Sequence, residues 1–187
     1  MKKIAMYFIL LISLVGCQAI DSALTEMGVI DIRESPFDGS KTFTMTPALT
    51  NHGYEDAMAE LGLYWQESMG NRVIVGVKYP RIDNFAPGKP FLLRVDGEVH
   101  QLPPASNLSF GDFDIENLGQ YGLFPSTTKY FVATKDVIRA VVNGQHASYR
   151  INLLGNQYDD GRITYQYRNY QSYVPKAFER FLDAIDN

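Results

Sequence analysis

The sequence predicts an α+β domain: mostly an antiparallel β-sandwich or curled sheet, with two short helices, the C-terminal one packed on the sheet. Segments in which apolar and polar residues alternate are typical of half-buried strands, and short turns join them. Parallel neighbours need crossovers of a dozen residues or more, so short turns favour antiparallel pairing. Near the C-terminus, apolar side chains recur at helical spacing and form one face: Phe178, Phe181, Leu182 and Ile185.

Alternation places four strands in the first half of the chain. The first is expected near 29–33, and the second, at 42–46, is expected to stop at Pro47. Segments 60–66 and 72–79 carry apolar side chains at every second position. Because only a short loop separates them, they are predicted to pair antiparallel.

A β-hairpin is predicted around Asp96-Gly97, since both residues tolerate positive φ. A two-residue turn would set Glu98 opposite Val95 and interrupt the apolar face. A three-residue turn with a bulge after Asp96 sets Val99 opposite Val95, and we predict this form. The flanking strands are 91–95 and 98–102.

A capped helix is predicted after a strand at 130–133. Thr134 can cap a helix over 135–142, with Asp136 favourably placed in the first turn. Gly144 suits the end of this helix. The predicted buried stripe consists of Val137, Ile138 and Val141.

The end of the chain adds two strands and the last helix. Strands at 146–153 and 162–168 are expected to be joined by a turn at Asp159-Asp160-Gly161, and Pro175 is expected to begin the helix. The longest irregular stretch is 103–129. Long loops are often functional, so this stretch is a candidate binding surface.

The N-terminus has the parts of an export signal. Lys2 and Lys3 precede an uncharged apolar run at 4–15, shorter than the about 20 residues that span a bilayer. Leu14-Val15-Gly16-Cys17 follows and resembles the lipobox of bacterial lipoproteins. The resemblance implies a diacylglyceryl group on the sulfur of Cys17, cleavage before it, and often a further acyl chain. An uncleaved anchor with a free cysteine is the alternative.

The anchor predicts a location. Two or more acyl chains hold a protein stably at a membrane. In lipoproteins of diderm bacteria, Asp directly after the cysteine favours retention in the inner membrane. Gln18 stands there instead, so we expect the cell outer membrane, with the protein facing the periplasm.

Length and composition predict a single domain. We assign 1–16 to a cleaved signal peptide, 17–38 to the lipidated cysteine and a tether, and 39–187 to one globular domain. The only cysteine is Cys17, so no disulfide is expected. With 17 Lys and Arg against 21 Asp and Glu, the chain lacks the basic excess of nucleic-acid-binding proteins. No nucleic acid partner is expected.

The segment after Cys17 resembles a family of uncharacterised proteobacterial lipoproteins. The resemblance lies in the order of LGLYW, a valine-rich strand, LLRVDGEVHQL, FVATKDVIRAVVNG, YRI and the terminal AFERFLDAI. It covers most of the chain after the signal. The shared motifs are structural, namely a hairpin, a capped helix and a closing helix, so they imply no catalytic or binding residue.

The sequence predicts no catalytic residue and no cofactor. It contains no G-x-S-x-G elbow, no phosphate-binding loop and no dinucleotide fingerprint. His52, His100 and His146 lie in unrelated segments, and the last two are expected on the solvent side of strands.

No metal site is predicted either. The acidic residues Asp112, Asp114 and Glu116 alternate in a way that can present oxygen ligands to calcium. Asn117 stands where an EF-hand loop has glycine, however, so we expect a solvated acidic loop.

Tyrosines crowd the end of the chain with two arginines among them: Tyr158, Tyr165, Tyr167, Tyr170, Tyr173, Arg162 and Arg168. Of these, Tyr170, Tyr173 and Arg168 form the candidate binding surface. Tyrosine and arginine commonly anchor interfaces. Tyr165 and Tyr167 are instead expected on the inward face of their strand with Ile163.

Together these features predict a membrane-tethered envelope lipoprotein with a non-enzymatic binding or accessory role. Its expected partners are the membrane, through the acyl chains on Cys17, and an envelope protein or glycan. The alternatives are an envelope hydrolase acting on glycan or peptide and a structural component of an envelope complex.

Overall fold

The computed structural model describes residues 27–50, 59–80, 84–88, 90–105, 126–164, 166–167 and 170–187. The strands are β1 (Ile30–Glu34), β2 (Lys41–Leu49), β3 (Glu60–Gln66), β4 (Arg72–Tyr79), β5 (Phe91–Val95), β6 (Glu98–Leu102), β7 (Thr127–Thr134), β8 (Ala147–Asn152), β9 (Tyr158–Arg162), β10 (Gln166–Tyr167) and β11 (Tyr170–Gln171). The helices are α1 (Lys135–Asn143) and α2 (Val174–Asp186), and single 3-10 turns lie at Glu67–Met69 and Leu154–Asn156.

The strands form two main antiparallel sheets. One has the order β1-β2-β3-β4-β7 and the other the order β6-β5-β8-β9, while β10 and β11 form a short ribbon. Helix α2 contacts β2 and β3, and α1 contacts both α2 and β7. The predicted α+β fold with a C-terminal helix on the sheet is therefore confirmed.

A single hydrophobic core joins the two sheets and both helices. Phe131 of β7 lies with its ring centroid 5.1 Å from that of Phe91 of β5, and Phe91 lies 6.2 Å from Tyr149 of β8. Helix α2 contributes its predicted apolar face, of which Phe178 and Phe181 are fully buried. Burial of large aromatic side chains is the main source of stability in such a core.

Strands β3 and β4 have the predicted bounds and pair antiparallel. Strand β2 differs, because it continues through Pro47 to Leu49. Its register against β3 shifts between Met45 and Ala48, and Pro47 lies in this bulge. A bulge tolerates proline because the residue there need not donate to the ladder.

The hairpin prediction was wrong about the turn. Strands β5 and β6 have the predicted bounds, but Val95 pairs with Glu98 across a two-residue turn. Asp96 has φ 47° and Gly97 φ 96°, the positive values that such tight turns require. Val99 consequently faces outward and is 58% exposed.

The predicted turn at Asp159-Asp160-Gly161 is also wrong, since these residues lie within β9. The chain turns instead at Leu154–Asn156, where Gly155 and Asn156 have positive φ. Asp159 pairs with Ile151 of β8, and its carboxylate accepts a hydrogen bond from the hydroxyl of Tyr79 on the other sheet.

Other predictions concern the ends of elements. Strand β1 lies close to its predicted position, inside the range 17–38 assigned to the tether, and it pairs with β2. Strand β7 begins at Thr127, so the last three residues of the stretch predicted as irregular, 103–129, belong to a strand. Residues 51–53 and 106–125 lie outside the described residues.

Candidate functional site

The outer face of the four-stranded sheet is the candidate site. Across it, Val99 of β6 pairs with Arg94 of β5, Arg94 with Ser148 of β8, and Ser148 with Arg162 of β9. We call the surface made by Arg94, Ser148, Arg150 and Arg162 the arginine face. Two adjoining cavities of about 880 and 560 Å³ lie over it.

Strand alternation explains why these side chains lie together. In β8, Tyr149 and Ile151 face the core, so Ser148 and Arg150 face outward. In β9, Gly161 faces inward beneath Tyr149, which leaves Arg162 on the outside. The same pattern in β5 points Arg94 away from the core.

Arg150 is held by its neighbours. Its Nε and NH2 groups donate to the two carboxylate oxygens of Asp160 at 2.6 and 2.7 Å. Its guanidinium carbon lies 4.0 Å from the ring centroid of Tyr158, a cation–π distance. The hydrogen bonds to Asp160 raise the pKa of Arg150 further, so this arginine remains charged and fixed in place.

Arg94 and Arg162 differ from Arg150. Both are exposed and line both cavities, and neither makes an ion pair or a hydrogen bond through its side chain within the described residues. Of the five other described arginines, Arg33, Arg139, Arg150 and Arg180 do have such partners, and only Arg72, on the other sheet, has none among the described residues. Within the described residues, the donors of the Arg94 and Arg162 guanidinium groups are therefore not occupied by the protein itself.

Polar groups surround the larger cavity at the hairpin end. The carboxylate of Asp96 accepts hydrogen bonds from the backbone N–H groups of Gln145, at 3.2 Å, and His146, at 2.8 Å. These bonds fix the β5–β6 turn against the start of β8. The side chains of Asn143 and Gln145, both exposed, line the same cavity.

His146 and Ser148 also line the larger cavity, two residues apart on β8 and the turn before it. No hydrogen bond joins their side chains in the part of the chain that the structure describes, and the carboxylate of Asp96 is bonded to backbone rather than to the imidazole. A nucleophile requires a base within hydrogen-bond reach. Among the described residues that line this cavity, no nucleophile is hydrogen-bonded to a base.

Of the three residues predicted to form the binding surface, only Tyr173 has a described side chain. It lies directly before α2, is 38% exposed, and its carbonyl accepts a hydrogen bond from the N–H of Ala177. Tyr170 is in β11, but its side chain, like Arg168 and Cys17, lies outside the described residues. The surface predicted from Tyr170, Tyr173 and Arg168 therefore stays a prediction.

The histidine predictions had mixed outcomes. His146 is exposed, as expected. His100 is only half-buried and pairs with Leu93, on the inward side of β6, where its Nδ1 lies 3.7 Å from Glu98. His52 lies outside the described residues, as do Tyr165 and the acidic loop at 112–117. The side chain of Tyr167 is not described, whereas Ile163 is fully buried.

Sequence reasoning missed Arg94 and Ser148, and it noted Arg162 among the C-terminal tyrosines without assigning it to the binding surface. Alternation alone assigns Arg94 and Ser148 to the polar faces of their strands, so part of the signal was present. The missing information was the strand order β6-β5-β8-β9, which makes them neighbours. Arg162 was expected to begin a strand, but it ends β9.

Within the described ranges, no group of three or more His, Cys, Asp and Glu side chains is positioned to hold a metal ion. None of the described helices is long and apolar enough to cross a membrane. Comparison of the chain with models of protein families, with curated proteins and with solved structures finds no match. The resemblances noted in the sequence therefore remain predictions.

Proposed function

We propose that this chain is a membrane-tethered lipoprotein of the cell envelope that binds a partner without catalysis, and that the arginine face is its binding surface. The observation that supports this most directly is the pair Arg94 and Arg162. Both lie over a large cavity with no partner among the described residues, although the chain as a whole has an excess of acidic residues. Arginine without a partner in a concave surface is well suited to recognition.

The anchor supports the tethered part of the proposal. Leu14-Val15-Gly16-Cys17 matches a lipobox, and acyl chains on Cys17 would hold the domain at the membrane. With Gln18 after the cysteine, the proposed location is the outer membrane on its periplasmic side. Metabolic labelling with a palmitate analogue tests this. Cys17→Ser should abolish labelling and release or mislocalise the protein, whereas persistent labelling would refute the anchor.

Site-specific photocrosslinking in cells tests the binding surface. A photoreactive amino acid replaces Ser148 on the arginine face or, as a matched control, Arg72, which is exposed on the other sheet. The lipidated protein is purified in detergent after irradiation, and the adducts are identified by mass spectrometry. We expect an envelope adduct from position 148 and none from position 72. Identical adducts from both positions, or none from position 148, would contradict this choice of surface.

A hydrolase of glycan or peptide is the second candidate, because His146 and Ser148 line one cavity. A fluorophosphonate probe distinguishes partner binding from hydrolysis by a serine nucleophile, since it reacts with an activated serine. We expect no labelling of Ser148, because no base is bonded to its hydroxyl among the described residues. Labelling that disappears in Ser148→Ala, with wild-type thermal stability, would favour the hydrolase instead.

A further inference from the structure

We infer that the arginine face binds an acidic glycan, with Arg94 and Arg162 holding its carboxylate or phosphate groups and the neutral polar side chains beside them bonding its hydroxyl groups. This inference rests on the proposed function and specifies the class of ligand for the same surface. It follows from the spacing of the charges, the chemistry of the cavity lining and the position of one exposed aromatic ring.

The spacing of the two arginines suits an extended anion. They occupy one cross-strand row with Ser148 between them. Adjacent strands lie 4.7–4.9 Å apart, so the two Cα atoms are separated by roughly 10 Å. Each guanidinium presents a planar fork of donors that matches carboxylate and phosphate oxygens. One row of the sheet can thus hold two anionic groups, with a hydroxyl between them.

The neutral side chains favour a sugar over a simple anion. Asn143 and Gln145 are exposed at the larger cavity, and their amides can both donate and accept. Ser148 adds a hydroxyl in the middle of the row. None of these three side chains has a hydrogen-bond partner among the described residues. Groups that donate and accept at short intervals match the hydroxyl groups of a saccharide.

The aromatic ring of Tyr158 completes the surface. It stacks on Arg150 beside the smaller cavity and is still 55% exposed. Its remaining surface offers a flat apolar area for the face of a sugar ring. Because the Arg150–Asp160 pair fixes this ring, the platform is already in place before a ligand binds.

Calorimetric titration of the lipidated protein in neutral detergent tests the inference. The probes are trigalacturonate for carboxylate, glucose 1-phosphate for phosphate, neutral maltotriose, and triglutamate as an acidic peptide. We expect one or both acidic sugars to bind, with affinity falling as salt is added, and maltotriose to bind far more weakly. Comparison of the two acidic sugars identifies which anionic group the face prefers.

Variants assign the binding to the two arginines. Arg94→Gln and Arg162→Gln should each weaken binding of the acidic sugar at least about tenfold, because each removes charge-assisted hydrogen bonds. Arg72→Gln removes the same charge from an exposed site on the other sheet and should leave the affinity unchanged. Thermal melting of each variant verifies that the fold is intact.

Two results would overturn the inference. One is that neither acidic sugar binds better than maltotriose, or that the acidic sugar that does bind has the same affinity for wild type, Arg94→Gln and Arg162→Gln. The other is triglutamate binding more tightly than both acidic sugars, which would assign the face to acidic peptides. If position 148 still crosslinks to an envelope partner in either case, the proposed binding function stands and only the glycan assignment fails.

Discussion

Replacing Gly161 with alanine should strongly destabilise the fold. Gly161 lies mid-strand in β9, and a methyl group there would overlap a ring carbon and the hydroxyl oxygen of Tyr149. Tyr149 cannot easily move, because it is only 2% exposed and its ring stacks on Phe91. Its hydroxyl also accepts a hydrogen bond from the N–H of Ala59 at 3.1 Å.

The size of the effect follows from these contacts. Overpacking a core contributes about 1–3 kcal/mol of destabilisation. If Tyr149 moves, the N–H of the fully buried Ala59 loses its partner, which contributes about 1–3 kcal/mol more. The reduced entropy of the unfolded chain offsets about 0.4–1 kcal/mol. We therefore expect Gly161→Ala to lower the free energy of unfolding by about 1–6 kcal/mol.

Urea denaturation followed by circular dichroism measures this change, and Gly76→Ala is the matched control. Gly76 is also buried mid-strand, but its added methyl would lie 3.3 Å from a ring carbon of the half-buried Tyr130. That variant should stay within about 1 kcal/mol of wild type. Gly161→Ala should also be partly rescued by Tyr149→Leu, which removes the overlap. Equal stability of the two glycine variants would refute the packing of Tyr149 over β9.

The remaining predictions concern the two helices. Hydrogen bonds from Lys135, and to a smaller extent from Arg139, lower the pKa of Asp186 in the folded protein. This carboxylate therefore stabilises the fold at every pH above its unfolded pKa, near 3.8. The stabilisation is lost as the pH falls through the lower pKa of the folded state. Because Asp186 is 40% exposed, Asp186→Asn should lower the free energy of unfolding by only about 0.5–1 kcal/mol at neutral pH. Urea titrations at successively lower pH should find this difference between the two proteins shrinking. Thr134→Ala should lower the free energy of unfolding by about 1 kcal/mol in the same assay, because the Thr134 hydroxyl accepts a hydrogen bond from the N–H of Val137. Thr134→Ser keeps the hydroxyl and should be nearly neutral. Equal losses of stability in the two variants would contradict the capping role.

The elements that were predictable from sequence are those whose pattern is local. Strand β4 alternates valines along its length, and its predicted bounds are those observed. Helix α1 begins after Thr134 as predicted, since a cap depends on a few adjacent residues. Helix α2 was predicted from apolar spacing after Pro175. In each case the information lies within about ten consecutive residues.

The failures share a different cause, because a long-range contact outweighed the local preference. Asp159-Asp160-Gly161 has the composition of a turn. Each residue is nevertheless used within β9: Asp159 bonds to Tyr79, Asp160 pairs with Arg150, and Gly161 makes room for Tyr149. These partners lie in other strands, one of them in the other sheet. No window of sequence around 159–161 contains that information.

The turn between β5 and β6 affects the candidate site directly. A turn that paired Val95 with Val99 would have directed Val99 toward the core. In the observed turn, Asp96 bonds to the backbone at the start of β8, which holds β5 and β8 together at the end that bears Arg94 and Ser148. Val99 then lies beside Arg94 on the outer face. Val99, which the tight turn leaves exposed, thus borders the row that contains Arg94 and Arg162. The turn that was predicted wrongly from the sequence therefore also determines the edge of the arginine face.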